Sequence, residues 1–206
     1  MSITTDAPPS PDDSAQLADA RDRADMEKLQ AGHDAALNDL MERHATPVFH
    51  FLCRTVGNED DANDLAQETF VRVFKARASF RAEQKFSAWL FTIAANLARN
   101  HFRWRARHPN VSLDAENPGT EQSLGGMLPA DGPAPNESAL AAERAGAVRL
   151  AVGNLPEDLR EVIVLCEWEE CSVAEAATIL KATPKAVESR LYRARQILRE
   201  HLKSWL

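Results

Sequence analysis

A long segment with a distinctive composition most constrains how this chain can fold. From His108 to Ser138 the sequence contains five prolines, four glycines, five acidic residues and no lysine or arginine. Proline and glycine interrupt helices and strands, and a structureless stretch of this length is uncommon inside one compact domain. Residues 108–138 are therefore predicted to be a flexible linker between two small domains, 35–107 and 139–206.

The apolar residues on both sides of this linker follow the period of a helix. Leu40, Leu52 and Val56 recur at helical spacing, and Gly57 ends their pattern. Similar patterns continue through 58–107 and from 139 onwards, and no segment alternates in the way a strand does. The predicted fold class is all-α, with two small helical domains joined by a flexible linker.

The last two predicted helices form a tight pair. Ser172 and Glu175 match a capping box at the start of a short helix, and Thr183 with Pro184 begins the next helix after a short turn. This arrangement is typical of a DNA-binding helix-turn-helix. A plain helical hairpin with solvated charges is the alternative. The candidate DNA-binding residues of the last helix are Lys185, Glu188, Ser189, Arg190, Tyr192, Arg193 and Arg195.

The N-terminal residues 1–34 form an acidic extension, with eight acids and three bases. A helix could form over residues 13–31, but its apolar positions are mostly alanine, so it would pack weakly. The extension is predicted to be mostly flexible. It lacks the basic and apolar regions of a signal peptide, and the longest apolar run, 162–166, is too short to span a bilayer.

A basic stretch is predicted on the helix that ends near Arg107. Between Lys85 and Arg107 there are five basic residues and no acid. Asparagine and arginine suit base edges and phosphates, and aromatic side chains can stack on unpaired bases. A solvated charged face with core aromatics explains the pattern equally well. The candidate DNA-binding residues here are Lys85, Trp89, Arg99 and, on one helical face at i, i+4, i+7 and i+11, Asn96, Asn100, Arg103 and Arg107.

An acidic face is predicted on the preceding helix. Asp61, Asp64 and Glu68 stand at i, i+3 and i+7, with Gln67 beside them. Acids near a helix start complement the helix dipole, which explains Asp61 better than it explains Glu68, two turns further on. A basic protein partner is the alternative explanation, so these four residues are candidates for protein binding.

The residue pattern offers no catalytic or metal site. Cys53, Cys166 and Cys171 form no C-x-x-C pair, and no histidine stands at zinc-finger spacing from them. They are interpreted as buried, reduced thiols. Neither a nucleophile–base pair nor a phosphate-binding loop is present. The chain is therefore predicted not to be an enzyme and to need no cofactor or metal.

Three segments, in this order, resemble the conserved regions of extracytoplasmic-function (ECF) sigma factors. Residues 61–76 read DANDLAQETFVRVFKA and resemble the segment that this family uses to bind the clamp helices of RNA polymerase. Residues 86–107 read FSAWLFTIAANLARNHFRWRAR and are similar to its strand-opening and minus-ten-recognition segment. Residues 155–200, with SRLYRAR at 189–195, resemble its minus-thirty-five-binding region.

The resemblance implies a role for each domain and a set of partners. Residues 35–107 would bind core polymerase and melt the minus-ten element, with a flipped base held near residues 79–85, and residues 139–206 would bind the minus-thirty-five element. The implied partners are core RNA polymerase (clamp helices and flap), promoter DNA and an anti-sigma factor, with no small-molecule substrate and no membrane insertion. The implied location is the bacterial cytoplasm.

Four positions depart from the family pattern. Ala95 stands where arginine is usual, Asn100 stands where an acid is usual, residues 180–182 lack a common glycine, and Glu188 stands where a base is common. A second function also remains open at this stage. A helix-turn-helix regulator with a helical effector domain would bind duplex DNA without being a polymerase subunit.

Overall fold

The computed structural model describes residues 11–108 and 135–205, and within them every regular element is helical. The predicted all-α class and the helix-turn-helix are therefore confirmed, whereas most of the predicted linker lies outside the described residues. No helix in the described ranges is long and apolar enough to cross a membrane. The α-helices are α1 (Pro11–Gln30), α2 (Ala36–Val56), α3 (Glu59–Ala76), α4 (Phe86–Arg107), α5 (Pro135–Gly153), α6 (Glu157–Glu167), α7 (Val173–Leu180) and α8 (Pro184–His201).

The first domain is built around α2, which packs against α1, α3 and α4. Leu40, Phe51 and Leu52 of α2 are fully buried, and the ring of Phe51 meets that of Phe91 edge-on at a centroid distance of 5.3 Å. Helix α2 continues through Pro47 and ends at Gly57, whose φ of 79° is left-handed and favours glycine. The core of this domain thus fixes the directions of α3 and α4.

Helix α3 begins with a side-chain cap. The Oδ1 atom of Asn58 accepts a hydrogen bond of 2.9 Å from the backbone N–H of Asp61. This contact satisfies one of the N–H groups that a helix start leaves without a partner. It also sets the first turn of the helix that carries the acidic face.

We expect Asn58→Ala to lower the free energy of unfolding by about 1 kcal/mol, because alanine cannot accept this hydrogen bond. Asn58→Asp is the matched control, since aspartate caps helices about as well as asparagine. Chemical denaturation of the three proteins measures the difference. Equal midpoints and slopes for the alanine variant and the wild type would contradict this role of Asn58.

The N-terminal segment differs from the expectation of a mostly flexible extension. Helix α1 lies against α2, and Met26 and Leu29 are completely buried. Asp22 is buried as well, and it contacts Arg43 Nε at 2.9 Å and His44 Nε2 at 2.7 Å. Two large apolar side chains and a buried ionic network thus compensate for the alanine-rich composition that suggested weak packing.

The second domain consists of α5–α8 around a core that includes Leu155, Ile163 and Ile179. Helix α5 begins at Pro135, slightly before the predicted start at 139. The capping box predicted from Ser172 and Glu175 is formed in both directions at the start of α7.

The turn between α7 and α8 follows the predicted pattern. It places Lys181 at a φ of 52°, and the side chain of Thr183 then accepts a hydrogen bond from the N–H of Ala186. Helix α8 is therefore positioned by local caps as well as by its buried side.

The two domains touch each other, with α7 against α4 and α6 against α2. We call this contact the domain junction. It joins residues that are far apart in sequence. For example, Nη1 of Arg160 in α6 donates to the backbone carbonyl oxygen of Thr55 in α2 at 2.8 Å. The position of α4, and of its basic residues, is thus influenced by both domains.

Candidate functional site

The predicted basic face of α4 is formed largely as expected. Asn100, Arg103 and Arg107 are exposed, and Asn96 is half-buried on the same face. Arg103 Nη2 donates to Asn100 Oδ1 at 2.9 Å, and Arg107 Nε donates to the carbonyl oxygen of Arg103 at 3.0 Å. Because each guanidinium keeps further donors free, this face can bind phosphate oxygens along one strand.

Two residues that the sequence reasoning missed extend this face onto α3. Arg72 and Lys75 line a shallow pocket of about 360 Å³ together with Asn96, Ile93 and Ala76. Both are exposed and stand at i and i+3 near the end of α3, a spacing that could have indicated a shared face. The pocket offers cationic walls and an apolar floor.

Three aromatic residues next to this face pack against one another. Trp89 is half-buried, and its ring lies 5.3 Å from that of Phe80 and 6.2 Å from that of Phe86. This cluster supports the loop between α3 and α4. Gln30 of α1 supports the same loop, because its side-chain amide donates to the carbonyl oxygens of Arg77 and Phe80. No local pattern marks Gln30, since its partners lie far along the chain.

Two predicted DNA-binding cations point toward the second domain instead. Lys85 Nζ lies 2.7 Å from Glu175 Oε1, and Arg99 Nε lies 3.2 Å from Glu161 Oε1. The hydrogen bond to Lys85, together with those to Ser172, lowers the pKa of Glu175 to about 2. Burial raises the pKa of Glu161 to about 7 although Arg99 stabilises its carboxylate. The two ion pairs therefore differ, because the first is short and exposed to solvent, whereas the second is longer and its carboxylate is buried.

The residues of the acidic face of α3 differ in whether other side chains bind them. Asp64 and Gln67 are exposed, and neither forms an ion pair or a side-chain hydrogen bond with any residue in the described ranges. Asp61 Oδ2 lies 3.4 Å from both His101 and Arg105 of α4, so it joins two helices. Glu68 binds Arg72 at 2.8 Å, and this hydrogen bond lowers the pKa of Glu68. Asp64 and Gln67 are the members most available to a partner.

The last helix presents a polar face beside its buried side. Val187, Leu191 and Ala194 are buried, while the exposed residues at its N-terminal half are Lys185, Glu188, Ser189, Tyr192 and Arg193. Among the described residues, Glu188 has no ion-pair partner, so it does not pair with Lys185 on its own helix. An N-terminal half with free donors and acceptors is what entry into a major groove requires.

Two further arginines of this helix are engaged within the domain. Arg190 Nε lies 3.4 Å from Asp158, and Arg195 binds Glu167 through Nη2 at 2.6 Å and Nε at 3.0 Å. Arg190 is half-buried and turned away from Glu188, whereas Arg195, seven residues after Glu188, stays exposed on nearly the same face while it binds Glu167. Both arginines tie α8 to α6.

Known proteins share both parts of this arrangement. The family model of sigma-70 region 2 matches residues 40–108, and that of sigma-70 region 4 matches residues 145–198. The ECF RNA polymerase sigma factor SigW of Bacillus subtilis is 32% identical over 179 residues, covering 86% of this chain and 95% of SigW. The chain belongs to the ECF sigma factors. It therefore directs transcription initiation through core RNA polymerase and promoter DNA, and a regulator that acts without polymerase is not favoured.

Solved sigma factor structures are similar to this one. CnrH in complex with the cytosolic domain of CnrY superposes with a TM-score of 0.65 at 28% identity, covering 89% of this sigma factor and 98% of CnrH. RpoE of Bartonella quintana, in complex with the anti-sigma factor NepR, gives a TM-score of 0.63 at 25% identity and covers 81% and 96% of the two chains. The similarity thus spans both helical domains.

Proposed function

We propose that this sigma factor divides promoter recognition between its two domains, 35–107 and 139–206. The exposed Asp64 and Gln67 of α3 bind core polymerase. The basic face of α4 binds and opens the minus-ten element. The N-terminal half of α8 reads the minus-thirty-five element. The observation that carries this proposal is the α4 face of Asn96, Asn100, Arg103 and Arg107, which is exposed from Asn100 onwards, rich in donors and free of acids.

The same proposal includes how the protein works and where. Its contribution is binding energy, while the polymerase performs the chemistry, so the chain itself is not an enzyme. It acts in the bacterial cytoplasm, together with polymerase. Its regulator is an anti-sigma factor, which is supported by the two similar structures that hold CnrY and NepR.

Run-off transcription on genomic fragments tests this function directly. We expect purified core polymerase to give discrete transcripts only when this sigma factor is added. A gel-shift assay with and without core then assigns the DNA binding, because a sigma factor should bind promoters specifically only within the holoenzyme. If the chain alone bound specific duplex DNA and did not associate with core, the result would contradict this proposal. It would indicate a helix-turn-helix regulator that acts without polymerase.

The acidic face of α3 has its own test. We expect Asp64→Lys to weaken binding to core polymerase about tenfold, because it replaces an attraction with a repulsion worth roughly 1.4 kcal/mol. Asp64→Lys with Glu68→Lys should weaken it further, and fluorescence titration of labelled protein with core measures both. Glu27→Lys, which reverses an exposed acid on α1, is the control and should bind as wild type does. An unchanged dissociation constant for the double variant would rule out this face.

A further inference from the structure

The loop between α3 and α4 is anchored to the first domain by an aromatic cluster. Phe80 is buried, and its ring centroid lies 6.0 Å from that of Phe86 and 5.3 Å from that of Trp89. The ring of Phe86 in turn meets that of His44 edge-on at a centroid distance of 5.1 Å. Residues 81–83, which follow Phe80, are exposed. The loop thus combines a buried anchor with an accessible rim.

Helix α1 holds the same loop through Gln30. The Nε2 atom of Gln30 donates to the carbonyl oxygen of Arg77 at 2.8 Å and to that of Phe80 at 3.0 Å. Arg77 directly follows α3, where the last carbonyl groups of a helix have no partner within it. Because one side-chain amide has two N–H donors, Gln30 binds both carbonyls at once. It therefore fixes the backbone at both ends of the short turn 77–80.

The helix that carries Gln30 is itself firmly attached to α2. Asp22 Oδ2 lies 2.7 Å from Nε2 of His44, the histidine that contacts the aromatic cluster, and Asp22 Oδ1 lies 2.9 Å from Nε of Arg43. Leu29, the residue before Gln30, is completely buried. Displacing this helix would break buried ionic contacts and expose apolar surface. Helix α1 is thus a fixed support from which Gln30 reaches the loop.

The exposure of Gln30 separates an effect on the loop from an effect on the core. Gln30 is exposed, and its hydrogen bonds lie at or near the surface. Water can therefore bind the two carbonyl oxygens when the amide is removed, so that no buried group is left without a partner. Water is not attached to α1, however, and does not hold the loop in place. Replacing Gln30 should alter the position of the loop more than the stability of the fold.

We propose that Gln30 is a positioning residue for promoter recognition. By tying the carbonyl oxygens of Arg77 and Phe80 to α1, it holds the loop 79–85 in the conformation that selects one base of the minus-ten element. Gln30 acts through the loop and does not contact the base. Such positioning matters because a binding site discriminates only when its groups are held to within about 0.5 Å. This inference rests on the proposed function, in which the first domain reads the minus-ten element.

Binding of holoenzyme to promoter DNA that lacks single bases tests this role. The promoter is one identified by run-off transcription, and an abasic site is placed at each position of its minus-ten element, one strand at a time. The position where the wild type loses most affinity is the base that the protein selects. We expect Gln30→Met, which has a similar shape but no donor, to bind the intact promoter about tenfold more weakly, the effect of one or two hydrogen bonds. On the promoter that lacks this base, the two proteins should bind equally.

Comparison with the abasic promoter distinguishes positioning from a folding defect. A destabilised protein would bind both promoters more weakly by the same factor, so the ratio of the two affinities would not change. Gln30→Lys retains donors on a side chain of similar reach and should keep most of the base selectivity. Gln16→Met makes the same substitution as Gln30→Met at an exposed position nearer the start of α1, and it should behave as the wild type does.

Hydrogen–deuterium exchange of the free protein provides a readout without DNA. The backbone N–H groups of Phe80 and Gln84 donate within the loop, to the carbonyl oxygens of Arg77 and Arg81. We expect both to exchange roughly tenfold faster in Gln30→Met, because the loop then opens without breaking the two bonds to α1. Exchange in α2 and in the second domain should be unchanged.

The outcomes separate this inference from the proposed function. If the wild type selects a base but Gln30→Met binds both promoters as the wild type does, or loses affinity equally on both, the positioning role alone is overturned. Unchanged exchange of the loop overturns it as well. If no abasic position weakens binding of the wild type, the proposed minus-ten recognition fails and this inference fails with it. A loss confined to the intact promoter, retained selectivity in Gln30→Lys and faster loop exchange in Gln30→Met support the inference.

Discussion

Replacing Arg103 and Arg107 by alanine should reduce open-complex formation about a hundredfold or more. Both side chains are exposed on the face of α4 that also carries Asn96 and Asn100. Hydrogen bonds to charged groups contribute roughly 1.5–3 kcal/mol each, so losing two phosphate contacts removes about 3 kcal/mol or more. Neither arginine forms an ion pair with another described residue, so the fold should be unaffected by the change.

The salt dependence of binding identifies the kind of contact that is lost. Each phosphate contact releases counterions, so the slope of log K against log salt should fall by about 0.7–0.9 for each missing arginine. Holoenzyme binding between about 50 and 200 mM salt gives the slope, and permanganate footprints report the melted bases. Arg21→Ala with Arg23→Ala removes two exposed charges from α1 and is the control. Wild-type footprints from the Arg103 and Arg107 variant would refute the assignment.

Exchanging Glu188 for arginine should change which minus-thirty-five sequence the protein prefers. Glu188 is exposed in the N-terminal half of α8 and has no ion-pair partner among the described residues. A carboxylate can accept a hydrogen bond from the N4 amino group of cytosine but cannot donate to guanine. We therefore expect the wild type to prefer cytosine at the facing base and Glu188→Arg to prefer guanine.

The expected effect is large enough to alter promoter choice. A good match between a side chain and a base discriminates by about 1–3 kcal/mol, which is roughly 5- to 150-fold in affinity. Selection of binding sites from a random pool by holoenzyme with each protein measures it. Glu200→Arg, at an exposed position near the other end of α8, controls for the added positive charge. If both proteins select the same sequences, Glu188 does not read DNA.

Local signals allowed most helices and their ends to be predicted. Gly57 ends α2, Asn58 caps α3, and Ser172 with Glu175 begins α7, because each of these features depends only on neighbouring residues. The packing of α1 could not be predicted in this way. It depends on Arg43 and His44 of another helix, which bind Asp22, and on the complete burial of Leu29.

In the candidate site, too, local features could be predicted from the sequence, whereas contacts between distant residues could not. Helical periodicity alone placed Asn96, Asn100, Arg103 and Arg107 on one face, because the period of a helix requires no knowledge of other elements. It could not reveal that Lys85 and Arg99 meet acids of the second domain, or that Arg195 binds Glu167. Composition identifies cations, but only the tertiary fold shows which acids lie opposite them. All of these residues remain predictions as DNA contacts.

The two oxygens of Glu175 have separate partners, and this has an evolutionary consequence. Oε2 binds Ser172 in the capping box of α7, while Oε1 accepts the hydrogen bond from Lys85. Selection for a stable helix-turn-helix is therefore enough to retain this carboxylate, whatever happens between the domains. A single mutation to or from lysine in the loop before α4 could create or abolish the contact without harm to either fold. Related chains could thus differ in how tightly their domains associate while their sequences diverge very little.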